Sequence, residues 1–385
     1  MKVAIYTSNI DYADIGPSIY RRNLIESMIE LDVPELDLYL VHHEPSDDDI
    51  YEKANEIITP QPRTLTKTFN GLFGIDNIPE FGYNPFIEQY LYREFDFDLI
   101  HLQTFPFVRP FWIGKGNTQV VATVHFGIRR FLHPNEFGVL DRLYRTKLPV
   151  LFSDKLDGVI TISEESKRLH AKFFRIDEDD IFVTHNAPPK EFQPDRNPRV
   201  LEEYGIDQPY AFHLSNRNFY KNPEGIVKGF AAAVRDHGIE HDLVLAGGRW
   251  TESDFLKHCT DASVAERIHF LGRLPRGDMP SLYTHADFVF LPSLSEGFPF
   301  VLLEAMACGT PVLTTAQFGM PDLIGNAGVY ISDPTDEDEI ALRLADICDR
   351  DDLEKKELEQ GRSYSWENTA EQTVNVYEEI LSRRE

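Results

Sequence analysis

A strand, a turn, a short helix and a second strand follow one another in quick succession in the last third of the chain. The apolar run 287–291 is short enough for a strand buried on both faces, and residues 292–297 supply turn formers. Pro299 is predicted to open the helix, where proline is tolerated at the first position, and Gly309 to close it. Residues 310–315 then return as a strand. This βαβ unit predicts an α/β fold whose loop lies at the carboxyl end of the first strand, where open parallel sheets bind ligands.

Two carboxylates, Glu296 and Glu304, flank the start of this helix. The amides of Gly297, Phe298 and Phe300 have no partner inside the helix, so together with the positive end of the helix dipole they predict an anion site that suits phosphate. A carboxylate beside a phosphate would be repelled unless it faced hydroxyl groups, so we assign Glu304 to a ribose diol and Glu296 to a transferred hexose. An ordinary solvated position is the alternative for Glu304. Its neighbours are apolar nearly all round, however, and a buried carboxylate needs partners.

The run from residue 292 to residue 312 closely resembles the nucleotide-sugar motif of family four retaining glycosyltransferases. It reads PSLSEGFPFVLLEAMACGTPV. That family has the GT-B fold, so the resemblance implies two Rossmann-like, doubly wound parallel-sheet domains facing a central cleft. Pro299 stands where the family more often has glycine. The resemblance extends over nearly the whole chain and is strongest over residues 210–319.

The composition is that of a globular protein with room for two domains. At 385 residues the chain can form two cores of ordinary size, and its hydrophobic fraction of 42% is typical of soluble domains. The cysteines Cys259, Cys308 and Cys348 have neither paired spacing nor accompanying histidines, which indicates no disulfide framework and no zinc site. The first residues turn polar too soon for a signal peptide, and no run of about eighteen apolar residues occurs. We therefore expect a cytoplasmic protein without a membrane span.

Acidic residues outnumber basic ones by 64 to 38, which gives a formal net charge of -26. This excess argues against nucleic acid as a partner, because the phosphate backbone would be repelled. It is typical both of proteins from a salt-rich cytoplasm and of ordinary acidic soluble enzymes, and composition does not separate the two. Neither interpretation specifies a substrate.

The first half of the chain predicts a parallel sheet. The predicted strands are 2–7, 36–42, 97–103, 119–125, 158–163 and 181–186. Residues 44–83 are rich in turn formers and are interpreted as loops or an irregular insertion. Gly16, between the first strand and the first helix, is either a contact to donor phosphates or acceptor, or a simple turn residue. His125 ends a strand where the family has a histidine facing the sugar, although Phe126 stands where aspartate usually follows.

A polar stretch with four prolines after the sixth strand predicts a linker between domains. We place an N-terminal, acceptor-side Rossmann-like domain at residues 1–195. A nucleotide-sugar-binding Rossmann-like domain follows at residues 196–365. The last segment, 366–385, is predicted to be an amphipathic helix, and members of the resembled family cross back to the first domain there.

Two basic residues follow the first strand of the second domain, which we predict at residues 210–214. Arg217 and Lys221 lie between this strand and a helix that starts at Pro223. Two fixed cations facing a helix amino terminus require an anion. In the resembled family an arginine and a lysine at this turn bind the diphosphate. The resemblance therefore implies that both stabilise charge on the leaving nucleoside diphosphate, and it adds Asn216 to the donor contacts.

The leading hypothesis is a retaining glycosyltransferase that moves a hexosyl group from a UDP- or GDP-linked sugar to a glycan or glycolipid acceptor. The candidate catalytic residues are Arg217, Lys221, Glu296 and His125, and the candidate donor-binding residues are Glu304, Gly297, Phe298, Pro299, Phe300, Gly16 and Asn216. We expect no metal and no other cofactor. A GT-B epimerase would not carry this two-glutamate motif. A catalytically silent subunit that binds nucleotide sugar or a partner glycosyltransferase stays open as an alternative. Gly16 stands alone where the resembled family usually has two adjacent glycines, and Phe126 replaces its aspartate.

A basic and aromatic island interrupts the acidic sequence between residues 105 and 156. Eight basic residues stand against three acidic ones there, a local charge of about +5. The basic residues are Arg109, Lys115, Arg129, Arg130, Arg142, Arg145, Lys147 and Lys155, and the apolar ones include Phe105, Phe107, Phe111, Trp112, Phe126, Phe131 and Phe137. Contact with anionic lipid headgroups would make the protein peripheral to the inner face of the cell membrane. A solvated helix face over core aromatic residues is the alternative.

Overall fold

The computed structural model divides into two compact units, Met1–Asn186 with Trp366–Glu385, and Ala187–Ser365. The residues that the structure describes are 1–7, 16–42, 46–59, 91, 94–103, 116–139, 141–142, 146–147, 150, 153, 156–207, 209–248, 250–350 and 352–383. Residues 187–195, which the sequence analysis assigned to the first domain, lie with the second unit because their contacts are there. The backbone N–H of Asp195, for example, donates to Thr284 Oγ1 at 2.9 Å.

The described strands form two parallel sheets with the same pattern of strand order. The first sheet has the order β3-β2-β1-β4-β5-β6-β7 and the second the order β10-β9-β8-β11-β12-β13. The strands are β1 (Lys2–Tyr6), β2 (Asp37–His42), β3 (Asn55–Ile58), β4 (Leu99–Leu102), β5 (Gln119–Thr123), β6 (Gly158–Thr161), β7 (Ile181–Val183), β8 (Tyr210–Leu214), β9 (Asp242–Ala246), β10 (Ile268–Gly272), β11 (Phe288–Leu291), β12 (Val312–Thr315) and β13 (Val329–Ile331). The prediction of two doubly wound parallel sheets is confirmed.

The described α-helices connect and cover these strands. In chain order they are α1 (Gly16–Glu30), α2 (Arg129–Leu132), α3 (Glu164–Phe174), α4 (Arg199–Tyr204), α5 (Pro223–Ala232), α6 (Glu252–Leu256), α7 (Ala262–Ala265), α8 (Met279–His285), α9 (Phe300–Cys308), α10 (Met320–Ile324), α11 (Glu337–Cys348), α12 (Leu353–Arg362) and α13 (Trp366–Ser382). Among the helices within the described ranges, none is both long and apolar enough to cross a bilayer.

The described strands of the first unit form where the sequence pattern predicts them, with one exception. Helix α1 buries Ile19, Leu24 and Ile25, and Ser163 caps α3 by accepting the Ser166 N–H at 3.1 Å. The exception is β3, because residues 44–83 were interpreted as loops or an irregular insertion. This strand pairs with β2 in parallel, but it has four residues and only Ile57 is buried, so it shows no periodic pattern.

Helix α13 belongs to the first unit although it follows the second unit in the chain. Its Tyr377 hydroxyl lies 2.6 Å from Nδ1 of the buried His101 in β4, and Thr369 Oγ1 donates to the backbone oxygen of His185 at 2.7 Å. The Trp366 ring packs edge-on against Tyr20 of α1, with centroids 5.8 Å apart. The helix therefore anchors to the sheet and to α1 through buried groups.

The direction of strand succession reverses between β1 and β4 in the first sheet and between β8 and β11 in the second. In open α/β sheets a ligand crevice forms outside the carboxyl ends of the strands at such a reversal. In the second unit the loops after β8 and β11 lie at this place and are described. In the first unit, residues 8–15 after β1 and 104–115 after β4 lie outside the described residues.

Candidate functional site

The βαβ element that carries both glutamates consists of β11, α9 and β12. Gly309 ends α9 with a positive φ of 81°, as the sequence predicts. Pro299 differs from the prediction, because it is the N-cap residue of α9 and not its first helical residue. Its backbone is extended, with φ -73° and ψ 130°. Proline suits this position as well, since its ring fixes φ near that value and the helical hydrogen bonds start after it.

The loop after β11 is held in place from two sides. Thr315 Oγ1, on the neighbouring strand β12, donates to the backbone oxygen of Ser293 at 3.0 Å. On the other side the Leu294 N–H donates to the backbone oxygen of Tyr220 at 2.7 Å. These bonds tie the loop after β11 to the loop after β8, across the reversal of strand order.

Lys221 and Glu296 form an ion pair at this place. Lys221 ends a short 3₁₀ turn, Phe219–Lys221, and its Nζ lies 2.5 Å from Glu296 Oε1. The two side chains are 12% and 7% exposed. Removing water from two charges is costly, and the attraction between Lys221 and Glu296 offsets this cost only while both partners are present. The structure therefore brings together two of the predicted catalytic residues.

Asn222 fixes the turn that carries Lys221, and the sequence analysis did not assign it a role. It has a left-handed backbone, with φ 60°, and its Oδ1 accepts the N–H of Gly225 at the start of α5. Its Nδ2 donates to the backbone oxygens of Pro292 at 3.1 Å and Pro334 at 2.7 Å. The available signal was an asparagine directly before a proline that opens a helix, which is typical of an N-cap.

Arg217 pairs with a different carboxylate, Asp254 of α6. The Nη2–Oδ1 distance is 2.8 Å, and the side chains are 55% and 9% exposed. Asp254 Oδ2 also accepts from the N–H and hydroxyl of Thr251, at 2.9 Å and 2.8 Å. Burial raises the pKa of Asp254, but the bonds from Thr251 and the charge of Arg217 outweigh it and hold the pKa below its usual value. The sequence analysis missed Asp254, although Thr251 with an acid three residues later is a capping-box pattern.

Asn216 and Arg217 are also attached to the loop after β9. Asn216 Oδ1 accepts the Gly248 N–H at 3.3 Å, and the Arg217 N–H donates to the Gly248 oxygen at 3.2 Å. Gly247 has φ 127°, and a Cβ there would lie 1.8 Å from the backbone oxygen of Ser215. Only glycine permits this approach of the two loops.

Glu304 lies within α9 and is buried, with 3% of its surface exposed. This burial excludes the solvated alternative. The Tyr283 hydroxyl donates to Glu304 Oε2 at 2.8 Å, and among the described residues this is the hydrogen bond that we find on the carboxylate. Burial raises the pKa of Glu304 to about 7, while the charge of Arg276 and the bond from Tyr283 act in the opposite direction. The sequence analysis missed Tyr283 and Arg276, because neither is near Glu304 in the chain.

The amides of Gly297, Phe298 and Phe300 stand at the amino end of α9, where the sequence analysis placed an anion site. The Phe298 side chain is buried and packs edge-on against Tyr364, with centroids 5.4 Å apart. This contact fixes the chain just before the helix. The binding of phosphate by the three amides stays a prediction.

His125 and Gly16 belong to the first unit, and the other candidate residues belong to the second. His125 follows β5 by two residues, and its ring packs edge-on against Tyr20 with centroids 4.5 Å apart. Within the described ranges, its buried Nε2 has no hydrogen-bond partner. Burial, helped by the charge of Arg21, lowers the pKa of His125 to about 3, so the imidazole is neutral near pH 7. Gly16 is the first residue of α1.

The basic and aromatic island is described only in part. Arg130 pairs with Asp141 at 2.6 Å and lies over the Phe137 ring, 4.6 Å from its centroid. Arg129 lies over the Phe126 ring at 5.0 Å, and Lys147 is exposed. Other members of the island lie outside the described residues, and they are Phe105, Phe107, Arg109, Phe111, Trp112, Lys115, Arg145 and Lys155.

Two acidic stretches of the sequence, residues 96–98 and 336–339, contribute to local structure. Asp98 Oδ2 accepts the N–H of Lys2 at 2.7 Å, and Asp336 caps α11 by accepting the N–H groups of Asp338 and Glu339. In the part of the chain that the structure covers, no three His, Cys, Asp or Glu side chains form a group that could hold a metal ion.

Two family models match the chain. Residues 199–364 match glycosyl transferases group 1, and residues 41–189 match glycosyltransferase family 4. The O-antigen chain mannosyltransferase B of Escherichia coli is 31% identical in an alignment that covers 58% of this chain and 61% of that protein. An uncharacterized glycosyltransferase of Methanocaldococcus jannaschii is 30% identical, over 57% of this chain and 59% of that protein. The chain thus matches about three fifths of the length of these relatives.

Solved structures share the architecture of the whole chain. Sucrose-phosphate synthase of Thermosynechococcus elongatus aligns over 100% of both chains, with a TM-score of 0.72 and 20% identity. Anabaena HepE in complex with UDP-glucose aligns over 100% of this chain and 99% of that chain, with a TM-score of 0.63 and 18% identity. At such identities the likeness shows the fold alone. The two family models, taken with this fold, show that the chain belongs to the GT-B glycosyltransferases that combine a family 4 domain with a group 1 domain.

Proposed function

We propose that this protein is a retaining glycosyltransferase that moves a hexosyl group from a UDP- or GDP-linked sugar to a hydroxyl of a glycan or glycolipid acceptor. The observation that carries the proposal is the buried ion pair of Lys221 and Glu296 at the strand-order reversal of the second sheet. The names of similar proteins support it, since one is a mannosyltransferase and another was solved with UDP-glucose.

The donor is bound by charge on one side and by hydroxyl contacts on the other. Lys221 and Arg217 neutralise the diphosphate, with the amides at the start of α9. Arg217 suits this role because Asp254 engages its Nη2, and a guanidinium offers five N–H donors in all. Glu296 contacts the transferred hexose and Glu304 the ribose. Asn216 and Gly16 are proposed as further donor contacts, together with Gly297, Phe298, Pro299 and Phe300.

Retention requires the acceptor oxygen to enter on the face that the diphosphate leaves. The bond from the anomeric carbon to the phosphate oxygen breaks, and the bond from that carbon to the acceptor oxygen forms. The acceptor proton passes to the leaving phosphate. Negative charge develops on the diphosphate in this step, and cations fixed beforehand stabilise it without reorganisation. The neutral His125 can form a hydrogen bond with a sugar or acceptor hydroxyl. No metal ion is part of this proposal.

A transfer assay with a matched pair of variants tests the function. The protein is incubated with radiolabelled UDP- and GDP-sugars and a lipid extract, and labelled products are separated from free sugar. Lys221→Ala should reduce transfer about 1,000-fold, whereas Lys228→Ala, which removes a half-exposed lysine paired with Glu224 on α5, should leave it unchanged. Transfer that survives Lys221→Ala would contradict the proposed site. Nucleotide binding without transfer from any donor would favour the catalytically silent subunit.

We further propose that the acceptor side meets an anionic membrane surface through the basic island. Each basic side chain near such a surface contributes about 1 kcal/mol at low salt, and salt screens this attraction. Sedimentation with vesicles of anionic lipid at low salt tests this. Lys147→Glu should reduce binding, and Lys228→Glu on the second unit should leave it unchanged. Absence of binding by the parent, or equal effects of the two variants, would indicate a soluble acceptor.

A further inference from the structure

Tyr283 of α8 makes a buried hydrogen bond to a residue of the candidate site. Its hydroxyl lies 2.8 Å from Glu304 Oε2, and its side chain is fully buried while Glu304 is 3% exposed. Burial raises the pKa of Tyr283 well above its usual value, so the phenol keeps its proton and acts as donor. A hydrogen bond from a neutral phenol favours the ionised carboxylate, because the phenol donates to it and brings no charge of its own. Tyr283 therefore occupies one oxygen of Glu304 without neutralising the group.

The ring of Tyr283 has little freedom to turn away. It packs edge-on against Phe212 and Phe192, with centroids 5.2 Å and 5.9 Å away. Thr310 Oγ1 donates to the backbone oxygen of Tyr283 at 2.6 Å, which ties α8 to the segment that follows α9. The hydroxyl is thus a fixed donor, and a fixed donor restricts the rotation of the carboxylate that it engages.

Three groups act on the charge of Glu304 besides its burial. Tyr283 and Arg276 stabilise the carboxylate, and Glu191 opposes it. Arg276 itself pairs with Glu191, at 2.6 Å from Nε to Oε1. On α9, the charge of Glu304 in turn contributes to the raised pKa of Cys308. Arg276 also pairs with Glu191, so the bond from Tyr283 is the direct contact, among the described residues, that orients the carboxylate and favours its ionised form.

We propose that Tyr283 is a positioning residue of the nucleotide site, whose hydroxyl holds Glu304 Oε2 so that Oε1 accepts from the ribose diol of the donor. This inference rests on the proposed function, because it takes the ligand of Glu304 to be a ribose. Tyr283 does not touch the nucleotide. The effect of Tyr283 on binding is therefore confined to ligands that carry the diol, and it disappears in a variant that lacks the Glu304 carboxylate.

Calorimetric titration of the full chain with UDP, GDP and their 2′,3′-dideoxy analogues tests the inference. The parent should prefer the diol form. Tyr283→Phe should weaken binding of the diol form about tenfold, as loss of a hydrogen bond to a charged group does, and leave the dideoxy form unchanged. In a Glu304→Gln background the same substitution should cause no further loss of diol preference. Tyr283→Met, which also lacks a hydroxyl, repeats the test if the phenylalanine variant does not fold.

Tyr210→Phe is the matched control. Tyr210 is also buried, and its hydroxyl donates to the backbone oxygen of Leu282 at 2.6 Å, so the variant removes a buried tyrosine hydrogen bond that does not involve Glu304. It should leave the diol preference intact. A second readout is pH. Binding of the diol form should strengthen as pH rises through about 7, where Glu304 ionises, and Tyr283→Phe should move that midpoint upward.

The outcomes separate this inference from the proposal on which it rests. If the parent prefers the diol form and Tyr283→Phe keeps that preference and its pH midpoint, the role of Tyr283 is wrong and the nucleotide site stands. If the parent binds UDP or GDP without preferring the diol, both Tyr283 and Glu304 are assigned wrongly. If neither nucleotide binds, the proposed function is contradicted as well.

Discussion

Among the described residues, the carboxyl ends of the two sheets carry different polar groups, although the strands follow the same order: ion pairs in the second unit, and buried neutral histidines near Arg21 in the first. In the second unit, Lys221 pairs with Glu296 and Arg217 with Asp254. In the first unit, the described polar groups at the corresponding edge include a neutral chain in which His101 Nε2 lies 2.7 Å from Thr123 Oγ1. Burial, together with His125, lowers the pKa of His101 to about 3, so this histidine carries no charge near pH 7.

Strand order fixes where a ligand crevice forms, but it does not fix which ligand binds there. A parallel sheet with reversed strand order provides a crevice at its carboxyl edge, but the residues that follow the strands decide which ligand enters it. Fixed cations suit a diphosphate, and neutral imidazoles and hydroxyls suit a sugar or another alcohol. The proposed roles, donor binding by the second unit and acceptor binding by the first, follow from that chemistry. The four predictions below test it.

The largest effect is expected at Lys221. Lys221→Ala should reduce transfer about 1,000-fold, since it removes a donor aimed at developing charge. It should also lower the free energy of unfolding by about 3 to 5 kcal/mol, because the buried Glu296 loses the cation that compensates its charge. Steady-state kinetics and denaturant unfolding measure the two effects.

A double variant separates these two effects. Lys221→Ala combined with Glu296→Gln should regain much of the lost stability without regaining transfer, because the uncompensated buried charge is gone while the cation is still missing. Recovery of transfer in the double variant would show that Lys221 acts only by neutralising Glu296. The donor side would then owe its charge to Arg217 and the helix end alone.

The second prediction concerns pH and Glu304. Its folded-state pKa is about 7 against a usual value near 4.5, so the folded state favours the protonated carboxyl. The resulting stability is present below about pH 4.5 and is lost as pH rises through 7, a change of about 3 kcal/mol. Relative to Glu304→Gln, the parent should therefore lose about that much free energy of unfolding between pH 5 and pH 8. The exposed Glu252→Gln is the control, and an equal pH dependence in that variant would contradict the assignment.

The third prediction concerns His125 on the neutral side. His125→Ala should reduce transfer about tenfold through loss of one hydrogen bond, while nucleotide affinity stays within about twofold of the parent. Because its pKa is about 3, the parent should show no titration of this residue in the rate between pH 5 and pH 8. Exposed His237→Ala is the control. A fall in nucleotide affinity with His125→Ala would contradict the proposed contact of His125 with a sugar or acceptor hydroxyl.

The smallest effect is expected from removal of metal ions. If Arg217, Lys221 and the amides at the start of α9 neutralise the diphosphate, a strong chelator should leave transfer rates within about twofold of the untreated enzyme. Rates are measured before and after treatment, and again after magnesium or manganese is restored. Strict dependence on either ion would contradict the proposed neutralisation and redirect attention to the acidic residues.

Local patterns in the sequence were sufficient for most of the fold and for part of the site. Short apolar runs predict six strands of the first sheet and strands β8, β11 and β12 of the second, because buried parallel strands need continuous apolar side chains. Gly309 and Ser163 mark helix ends through backbone conformation and capping, which are local properties. Strand β3 was missed because a short edge strand with one buried residue lacks such a run. Helix α9 starts one residue after the predicted start at Pro299, because proline suits both the N-cap and the first helical position.

Pairings between distant residues could not be read from the sequence. Spacing places Arg217 and Lys221 at one turn, but it does not show that each has its own carboxylate, Asp254 or Glu296. The contact of Tyr283 with Glu304 joins two helices 21 residues apart in the chain. Such pairs depend on how elements pack, and periodicity within one element carries no information about its neighbour.

Helix α13 also affects the order in which the chain can fold as it is made. The second unit is continuous, Ala187–Ser365, so all of its strands are available once that segment has left the ribosome. The first unit is complete only after Tyr377 has been made, because until then the buried His101 lacks the hydroxyl that lies 2.6 Å from its Nδ1. At 5 to 20 residues per second, synthesis of the intervening segment takes roughly 10 to 40 s. During that time the amino-terminal segment lacks its last helix, and the groups that this helix contacts, His101 among them, are without those partners.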